Sequence, residues 1–215
     1  MTDRLNKIYE LLPACEIFAD IGCDHGYMAK AMLDNGKAKK IIIADISKKC
    51  LMKAEELLSN EIACGTAQSV VSNGFEKVEN CDLALIAGMG GEEIVNILSC
   101  AKILPQKLVL QPMKNPDKVR ACAVKLGYRI EKDYVFKSSK KFYDLMLLVK
   151  GQDSLTKEEM EFGRTNLETK PKAFIEMLEF KMDKLSQYLA KEGLSSQAKK
   201  DILEQMEKLK KHVRF

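Results

Sequence analysis

The segment at residues 16–27, EIFADIGCDHGY, constrains the fold of this chain more than any other stretch. Its apolar run at 17–21 predicts a short buried strand, with Asp20 near the end. Gly22 follows the strand, and a helical pattern begins at Tyr27. Strand, glycine turn and helix in this order are typical of nucleotide-binding α/β folds, where the turn lets a ligand approach the backbone.

The residues in the turn favour one class of ligand. A dinucleotide-binding turn has the pattern G-x-G-x-x-G, but after Gly22 the next two glycine positions hold Asp24 and Tyr27. A pyrophosphate at the helix N-terminus would meet the carboxylates of Asp20 and Asp24. S-adenosylmethionine has no phosphate, and it carries a sulfonium and an ammonium that carboxylates attract. The turn therefore predicts a methyl-donor site, although a plain strand–helix turn is the alternative.

Polar residues at the ends of the next strands extend this predicted site. Residues 41–45 form a second strand pattern, apolar without alternation, that closes with Asp45 and continues into Ile46. A carboxylate at this position can accept hydrogen bonds from both hydroxyls of a ribose. A helix N-cap is the other role open to Asp45. The third strand pattern ends in Asn73 and Gly74, which either contact an adenine edge or form only a turn.

A glycine-rich loop follows the fourth strand pattern. Residues 82–87 are apolar after the first position and lead directly into GMGG at 88–91. Three glycines in four positions cost chain entropy, so the loop indicates a close approach by a ligand or substrate. A fifth strand pattern at 108–111 ends with Gln111 and is stopped by a proline.

Two more strand patterns complete the sheet. Residues 129–136 and 142–149 are joined by five residues, too few for a parallel crossover, so they form an antiparallel pair. Five strands alternating with helices, followed by an antiparallel pair, favour a methyltransferase sheet over a dehydrogenase sheet. We therefore predict an α/β fold, a Rossmann-like class I methyltransferase domain with a seven-stranded sheet, over residues 1–151.

The character of the chain changes after Gly151. Residues 152–215 contain no strand pattern, and a helix is predicted at 155–167. An apolar stripe then steps by three and four residues through Phe174, Leu178, Met182, Leu185 and Leu189, and resumes after a break with Ile202, Met206, Leu209 and Val213. This pattern predicts a second, helical domain built as a coiled-coil-like hairpin. Core packing is the favoured role of the stripe, and a partner-binding groove is the alternative.

Composition limits the function classes. The formal net charge of +4 permits binding to a polyanion without requiring it. Seven cysteines, without C-x-x-C pairs, indicate reduced thiols rather than disulfides or zinc ligands, and we expect no metal site. No long apolar segment or signal-peptide pattern is present, so we expect a soluble, cytoplasmic protein with no membrane partner.

Three motifs together resemble one family. DIGCDHGY at 20–27, AGMGG at 87–91 and LQP at 110–112 are similar to motifs of the bacterial TrmK-type tRNA methyltransferases. Enzymes of that family use S-adenosylmethionine to methylate N1 of adenine 22, and they join a Rossmann-like domain to a coiled-coil-like helical part. The chain departs from the family pattern at Met113, where the family usually has Asn, and at Asn73, where it usually has Asp.

The resemblance implies a tRNA partner and specific residue roles. Adenine N1 carries a lone pair and no proton, so the enzyme mainly has to align N1, the methyl group and sulfur and to exclude water. His25 and Tyr27 are expected to contact the target base, with Met89 and Gln111 completing the catalytic set. A structural histidine and a packed tyrosine are the alternatives. The predicted donor-binding set is Asp20, Gly22, Asp24, Gly26, Asp45, Ile46, Asn73, Gly74, Gly88 and Gly90.

Two other functions fit the same motifs. A methyltransferase acting on another RNA or on a small molecule would keep the same sheet and donor site. A non-catalytic RNA-binding or scaffold protein could keep the fold and use the helical hairpin for interaction. The acidic and glycine residues of the donor site argue against this second alternative, because a protein that binds no donor has no need of them.

Overall fold

The computed structural model describes residues 1–213, and one seven-stranded sheet forms its centre. The strands are β1 Cys15–Ile21, β2 Ala38–Asp45, β3 Ala67–Val71, β4 Leu83–Met89, β5 Lys107–Pro112, β6 Tyr128–Ser138 and β7 Lys141–Lys150. Their order across the sheet is β3-β2-β1-β4-β5-β7-β6, with β1 to β5 parallel and β7 antiparallel to both of its neighbours. This order confirms the predicted class I methyltransferase sheet.

Helices cover both faces of the sheet. They are α1 Asp3–Leu11, α2 Tyr27–Asp34, α3 Lys48–Leu57, α4 Ser59–Ala63, α5 Gly91–Cys100 and α6 Pro116–Lys125. Apolar and polar residues do not alternate along β2, because both of its faces are buried. Ile41 and Ile43 belong to the core on one face, while Ile42 and Ala44 belong to the core on the other. Burial on both faces is the expected state of an inner parallel strand.

One predicted helix is divided in the structure. The helical pattern after the second strand predicts a single helix at residues 48–60, which is wrong, because the chain bends at Leu58 between α3 and α4. Leu58 has φ −110° and is fully buried. The bend keeps this apolar side chain in the core, an effect of tertiary packing that overrides local helix propensity.

Residues 152–213 form four helices. They are α7 Lys157–Phe162, α8 Arg164–Thr169, α9 Lys172–Leu189 and α10 Ser196–Val213. The prediction of one continuous helix at 155–167 is wrong, because Gly163, with φ +85°, separates α7 from α8. Helices α9 and α10 pack together as the predicted hairpin. Phe174, Leu178 and Leu209 from the apolar stripe belong to a buried cluster that also includes Val135 of β6 and Phe162 of α7. None of the helices within residues 1–213 is long and apolar enough to cross a membrane.

A buried polar joint connects the sheet to α7 and α8. Its centre is Arg120 of α6, a fully buried guanidinium. Arg120 Nε donates to Asp133 Oδ2 at 3.0 Å, and Nη2 donates to Asp144 Oδ1 at 2.8 Å. Nη1 reaches the backbone carbonyl oxygen of Met160 in α7 at 3.2 Å. The charge is therefore paired and hydrogen-bonded, as a buried charge must be.

Side chains of the joint also satisfy backbone groups of β6 and α8. Asp133 Oδ1 accepts from the backbone N–H of Thr165 at 2.9 Å, and the Thr165 hydroxyl accepts from the backbone N–H of Asp133 at 3.1 Å. The amide oxygen of Asn166 accepts from the backbone N–H of Val135 at 2.9 Å. Residues near the start of the predicted second domain are thus bound to strand β6 and to Arg120 of α6, and the division at residues 151/152 remains a prediction.

Candidate active site

A cavity of about 560 Å³ opens at the carboxyl ends of the central strands. The strand order reverses at β1, because β2 and β3 lie on one side of it and β4 and β5 on the other. Ligands of open α/β sheets bind in the crevice at such a switch point. Predicted site residues that line the cavity are Asp20, Gly22, Asp24, His25, Tyr27, Asp45, Ile46, Asn73, Gly74, Gly88 and Met89.

The glycine turn after β1 makes room for the loop after β4. Gly22 has φ +75°, a conformation that glycine adopts without steric cost, and its N–H donates to the carbonyl oxygen of Ala44 at 2.7 Å. A Cβ atom at Gly22 would lie 2.0 Å from Cε of Met89. The missing side chain therefore lets Met89 lie directly over the turn, and the two loops form one wall of the cavity.

Asp20 places a buried carboxyl group at the bottom of this wall. Asp20 is only 5% exposed. Burial raises the pKa of its carboxyl group to about 7, although a hydrogen bond from the Ala29 backbone lowers that pKa. Within residues 1–213, no Lys, Arg or His forms an ion pair with Asp20. A buried carboxylate without a cationic partner fits the ammonium group of the predicted methyl donor.

Asp45 holds the neighbouring loops together. Its Oδ1 accepts from the backbone N–H of Ser47 at 2.8 Å, and its Oδ2 lies 3.4 Å from the backbone nitrogen of Asp24 in the glycine turn. Ser47, rather than Asp45, caps α3, because its hydroxyl accepts from the backbone N–H of Cys50 at 3.3 Å. The carboxylate at the end of β2 therefore has a position that fits the ribose hydroxyls of the donor.

We predict that Asp45→Ala weakens S-adenosylmethionine binding by about 1–3 kcal/mol, because the ribose hydroxyls lose their acceptor. Calorimetric titration of the folded variant measures this loss. Asp45→Asn is the matched control, since its amide oxygen can still accept from Ser47, and we expect a smaller effect. Unchanged donor affinity in folded Asp45→Ala would remove this residue from the site.

The rings of His25 and Tyr27 form a flat pair at the rim of the cavity. They are stacked with centroids 5.4 Å apart and planes 4° apart, and Tyr27 is 51% exposed. Asp24 Oδ2 lies 2.8 Å from His25 Nδ1, and Lys53 Nζ lies 3.5 Å from His25 Nε2. His25 is therefore a partly exposed histidine oriented from both sides, rather than a buried structural one.

The glycine-rich loop is tied to the loop after β5. The backbone N–H of Met113 donates to the carbonyl oxygen of Met89 at 2.8 Å, and that of Gly91 donates to the carbonyl oxygen of Lys114 at 2.9 Å. A Cβ atom at Gly91 would lie 2.5 Å from the carbonyl oxygens of Lys114 and Asn115. One of the three glycines is thus required by packing between two loops, not by a ligand.

Three predicted site residues do not line the cavity. Gly90 faces open space, and Gly26 lies against α3, where a Cβ atom would come within 2.9 Å of Cβ of Ala54. Gln111 is fully buried. Its Nε2 donates to the carbonyl oxygen of Pro112 at 3.0 Å, and its Oε1 accepts from Arg4. The roles assigned to these residues remain predictions.

Several cavity residues were not predicted. Ser72 precedes Asn73, and Glu93 and Asn96 of α5 line the side of the cavity nearest the glycine-rich loop. The spacing of three residues between Glu93 and Asn96 places both on one face of α5, a signal that the sequence contains. Arg4 also lines the cavity, although it belongs to α1, which precedes the first strand of the sheet. The described part of the chain contains no group of three or more His, Cys, Asp or Glu side chains that could hold a metal.

Comparison with known proteins agrees with this geometry. A protein family described as a methyltransferase domain matches residues 1–146. The tRNA (adenine(22)-N(1))-methyltransferase of Bacillus subtilis is 26% identical over 156 residues, which are 70% of this chain and 66% of that protein.

Solved structures extend the similarity to the helical C-terminal part. M. capricolum TrmK in complex with S-adenosyl-homocysteine superposes with a TM-score of 0.88 at 25% identity, covering 99% of this chain and 97% of that one. Sp1610 of Streptococcus pneumoniae gives a TM-score of 0.92 at 21% identity over the whole of both chains. The chain belongs to the methyltransferase-domain family, and these relatives confirm its resemblance to the TrmK-type members.

Proposed function

We propose that this protein transfers the methyl group of S-adenosylmethionine to N1 of adenine 22 in tRNA. The observation that carries the proposal is a single cavity that joins the carboxyl groups of Asp20 and Asp45 to the paired rings of His25 and Tyr27. The name of the Bacillus subtilis relative states this activity, and the M. capricolum relative binds the demethylated form of the donor. The proposed partner is therefore tRNA, and the proposed compartment is the cytoplasm.

The residues of the cavity can hold the donor from one end to the other. When bound, S-adenosylmethionine supplies an electrophilic methyl group on a positively charged sulfur. Asp20 faces the methionine end and accepts from the ammonium, while Asp45 accepts from the ribose hydroxyls. Asn73 and Gly74, at the end of β3, flank the adenine edge. The carboxylates thus attract a cationic ligand to the switch point.

The rim of the cavity can orient the target base. The parallel rings of His25 and Tyr27 offer a flat surface on which an adenine can stack, and the half-exposed ring of Tyr27 leaves that surface accessible. Positive charge develops on the adenine as N1 is methylated, and the nearby carboxylate of Asp24 and the π faces of the rings stabilise it. No residue has to remove a proton from N1, so positioning is the main task of the protein.

We predict that His25→Ala and Tyr27→Ala each lower the methylation rate by about tenfold or more while donor affinity changes little, because the rings orient the base. Single-turnover methylation measures the rate, and calorimetry measures donor affinity. Tyr27→Phe is the matched control, since it keeps the stacking surface, and its rate should stay close to wild type. A parallel fall of donor affinity and rate would assign the two residues to the donor site or the core.

Incubation of the protein with S-adenosylmethionine and tRNA, followed by mass spectrometry of the nucleosides, tests the proposed activity. The expected product is 1-methyladenosine. Donor binding without any methylated tRNA nucleoside would favour a different RNA or a small-molecule substrate. Absence of donor binding in the folded protein would favour the non-catalytic RNA-binding or scaffold alternative.

A further inference from the structure

Arg4, a residue of the N-terminal helix α1, lines the candidate active site. Arg4 lies in the first turn of α1, and it lines the same cavity as Asp20 and Gly88. Its Nη1 donates to Oε1 of the fully buried Gln111, and its Cζ lies 5.9 Å from the ring centroid of Tyr143. These two contacts hold the Arg4 side chain against β5 and β7.

In the described part of the chain, the charge of Arg4 has no anionic partner. Within residues 1–213, no carboxylate lies within ion-pair distance of the guanidinium, and Gln111 is its one hydrogen-bond acceptor. The N–H groups of Nε and Nη2 are left without an acceptor in this part of the chain. That edge of a guanidinium is suited to bidentate recognition of a carboxylate or phosphate.

The position of Arg4 identifies the end of the donor that it faces. A Cβ atom at Gly88 would lie 3.5 Å from Nη1 and 3.7 Å from Nη2, so the guanidinium covers the glycine-rich loop after β4. Asp20 lies on the neighbouring strand β1, where it pairs in register with Leu85 of β4. Asp45, the predicted ribose acceptor, lies on β2, on the opposite side of β1. Arg4 and Asp20 therefore share the methionine end of the cavity.

We propose that Arg4 binds the carboxylate of the donor's methionine moiety, while Asp20 binds its ammonium. The two groups are attached to the same carbon atom of the ligand, so their receptors must lie close together and carry opposite charges. Asp20 and Arg4 carry opposite charges and line the same cavity. This inference rests on the proposed function, and it adds a residue from the N-terminal helix to the donor site.

A comparison of two ligands tests the inference in the intact protein. S-adenosylmethionine and its decarboxylated form both carry the sulfonium and the ammonium, and they differ only in the carboxylate. Calorimetry of wild-type protein should give an affinity about tenfold or more higher for the carboxylated ligand. In Arg4→Ala this preference should nearly vanish, and Arg4→Lys should retain part of it because the charge is kept.

Lys7→Ala is the matched control, because Lys7 is a cation on the same helix that pairs with Glu10 at the surface. It should leave both affinities unchanged. A carboxylate preference in folded Arg4→Ala equal to that of wild type would overturn the inference. An equal loss of affinity for both ligands in Arg4→Ala would also overturn the inference, because it would assign Arg4 to packing through Gln111. If calorimetric titration with tRNA showed that Arg4→Ala loses affinity for tRNA alone, the inference would likewise fail, and Arg4 would be assigned to an RNA phosphate. Failure of the wild type to bind either ligand would instead contradict the proposed function itself.

Discussion

Asp133→Ala is expected to lower the free energy of unfolding by about 3–5 kcal/mol, because it leaves the guanidinium of Arg120 buried with one of its two carboxylate partners missing. The side chains of Arg120 and Asp133 are 0% and 1% exposed, so water cannot replace the lost acceptor. The variant also removes the acceptor for the backbone N–H of Thr165. Urea denaturation followed by circular dichroism measures the change.

Glu92→Ala provides the comparison for this prediction. It breaks the ion pair between Glu92 and Lys118, whose side chains are 69% and 52% exposed, and it should change stability little because water screens such a pair. If Asp133→Ala and Glu92→Ala unfold at the same urea concentration, the buried polar joint does not hold the C-terminal helices to the sheet. The same experiment bears on the division at residues 151/152, since a cut there would remove the partners of β6 in α8.

Asp20→Asn is expected to lower donor affinity by about tenfold or more and to raise the stability of the ligand-free protein. Burial raises the pKa of Asp20 to about 7, so the folded protein binds a proton that the unfolded chain releases near pH 4. Stability contributed by this group is therefore lost as pH rises from about 4 to 7. Asparagine carries no charge and avoids that loss, so at pH 8 the variant should be more stable by about 1–3 kcal/mol.

Thermodynamic measurements at two pH values test both effects of Asp20→Asn. At pH 4 the carboxyl group is neutral in the folded protein, and wild type and variant should differ much less than at pH 8. Wild-type donor affinity should rise with pH through about 7, because the ionised form of Asp20 attracts the ammonium. A variant that is less stable than wild type at pH 8, or that keeps full donor affinity, would contradict the role given to this carboxylate.

The sheet was predictable because its inner strands are buried on both faces. Such strands appear in the sequence as continuous apolar runs, as β2 does at residues 41–44. Each run ends at the carboxyl edge of the sheet. The breaks at Leu58 and Gly163 were not predictable. At Gly163 the chain lies so close to Asp133 that a Cβ atom would be 2.7 Å from Oδ2, and a contact between residues thirty positions apart leaves no local pattern.

The candidate site was predictable to the extent that the strand ends define it. Asp20 and Asp45 close adjacent parallel strands, so topology alone brings them to one edge of the sheet. Gln111 also closes a strand, but its side chain is buried and holds Arg4. Arg4 reaches the cavity because of how α1 packs on the sheet, and the amphipathic pattern of a helix does not specify which polar side chain will reach a distant site.

Primer extension on methylated tRNA tests the central claim most directly, because a methyl group on N1 of adenine blocks base pairing and stops reverse transcription. The substrates are a tRNA transcript with adenine at position 22 and the same transcript with guanine there. We predict a stop at position 22 that requires both the protein and S-adenosylmethionine, and that is absent from the guanine transcript. A stop at another adenine, or equal stops on both transcripts, would contradict the proposed function.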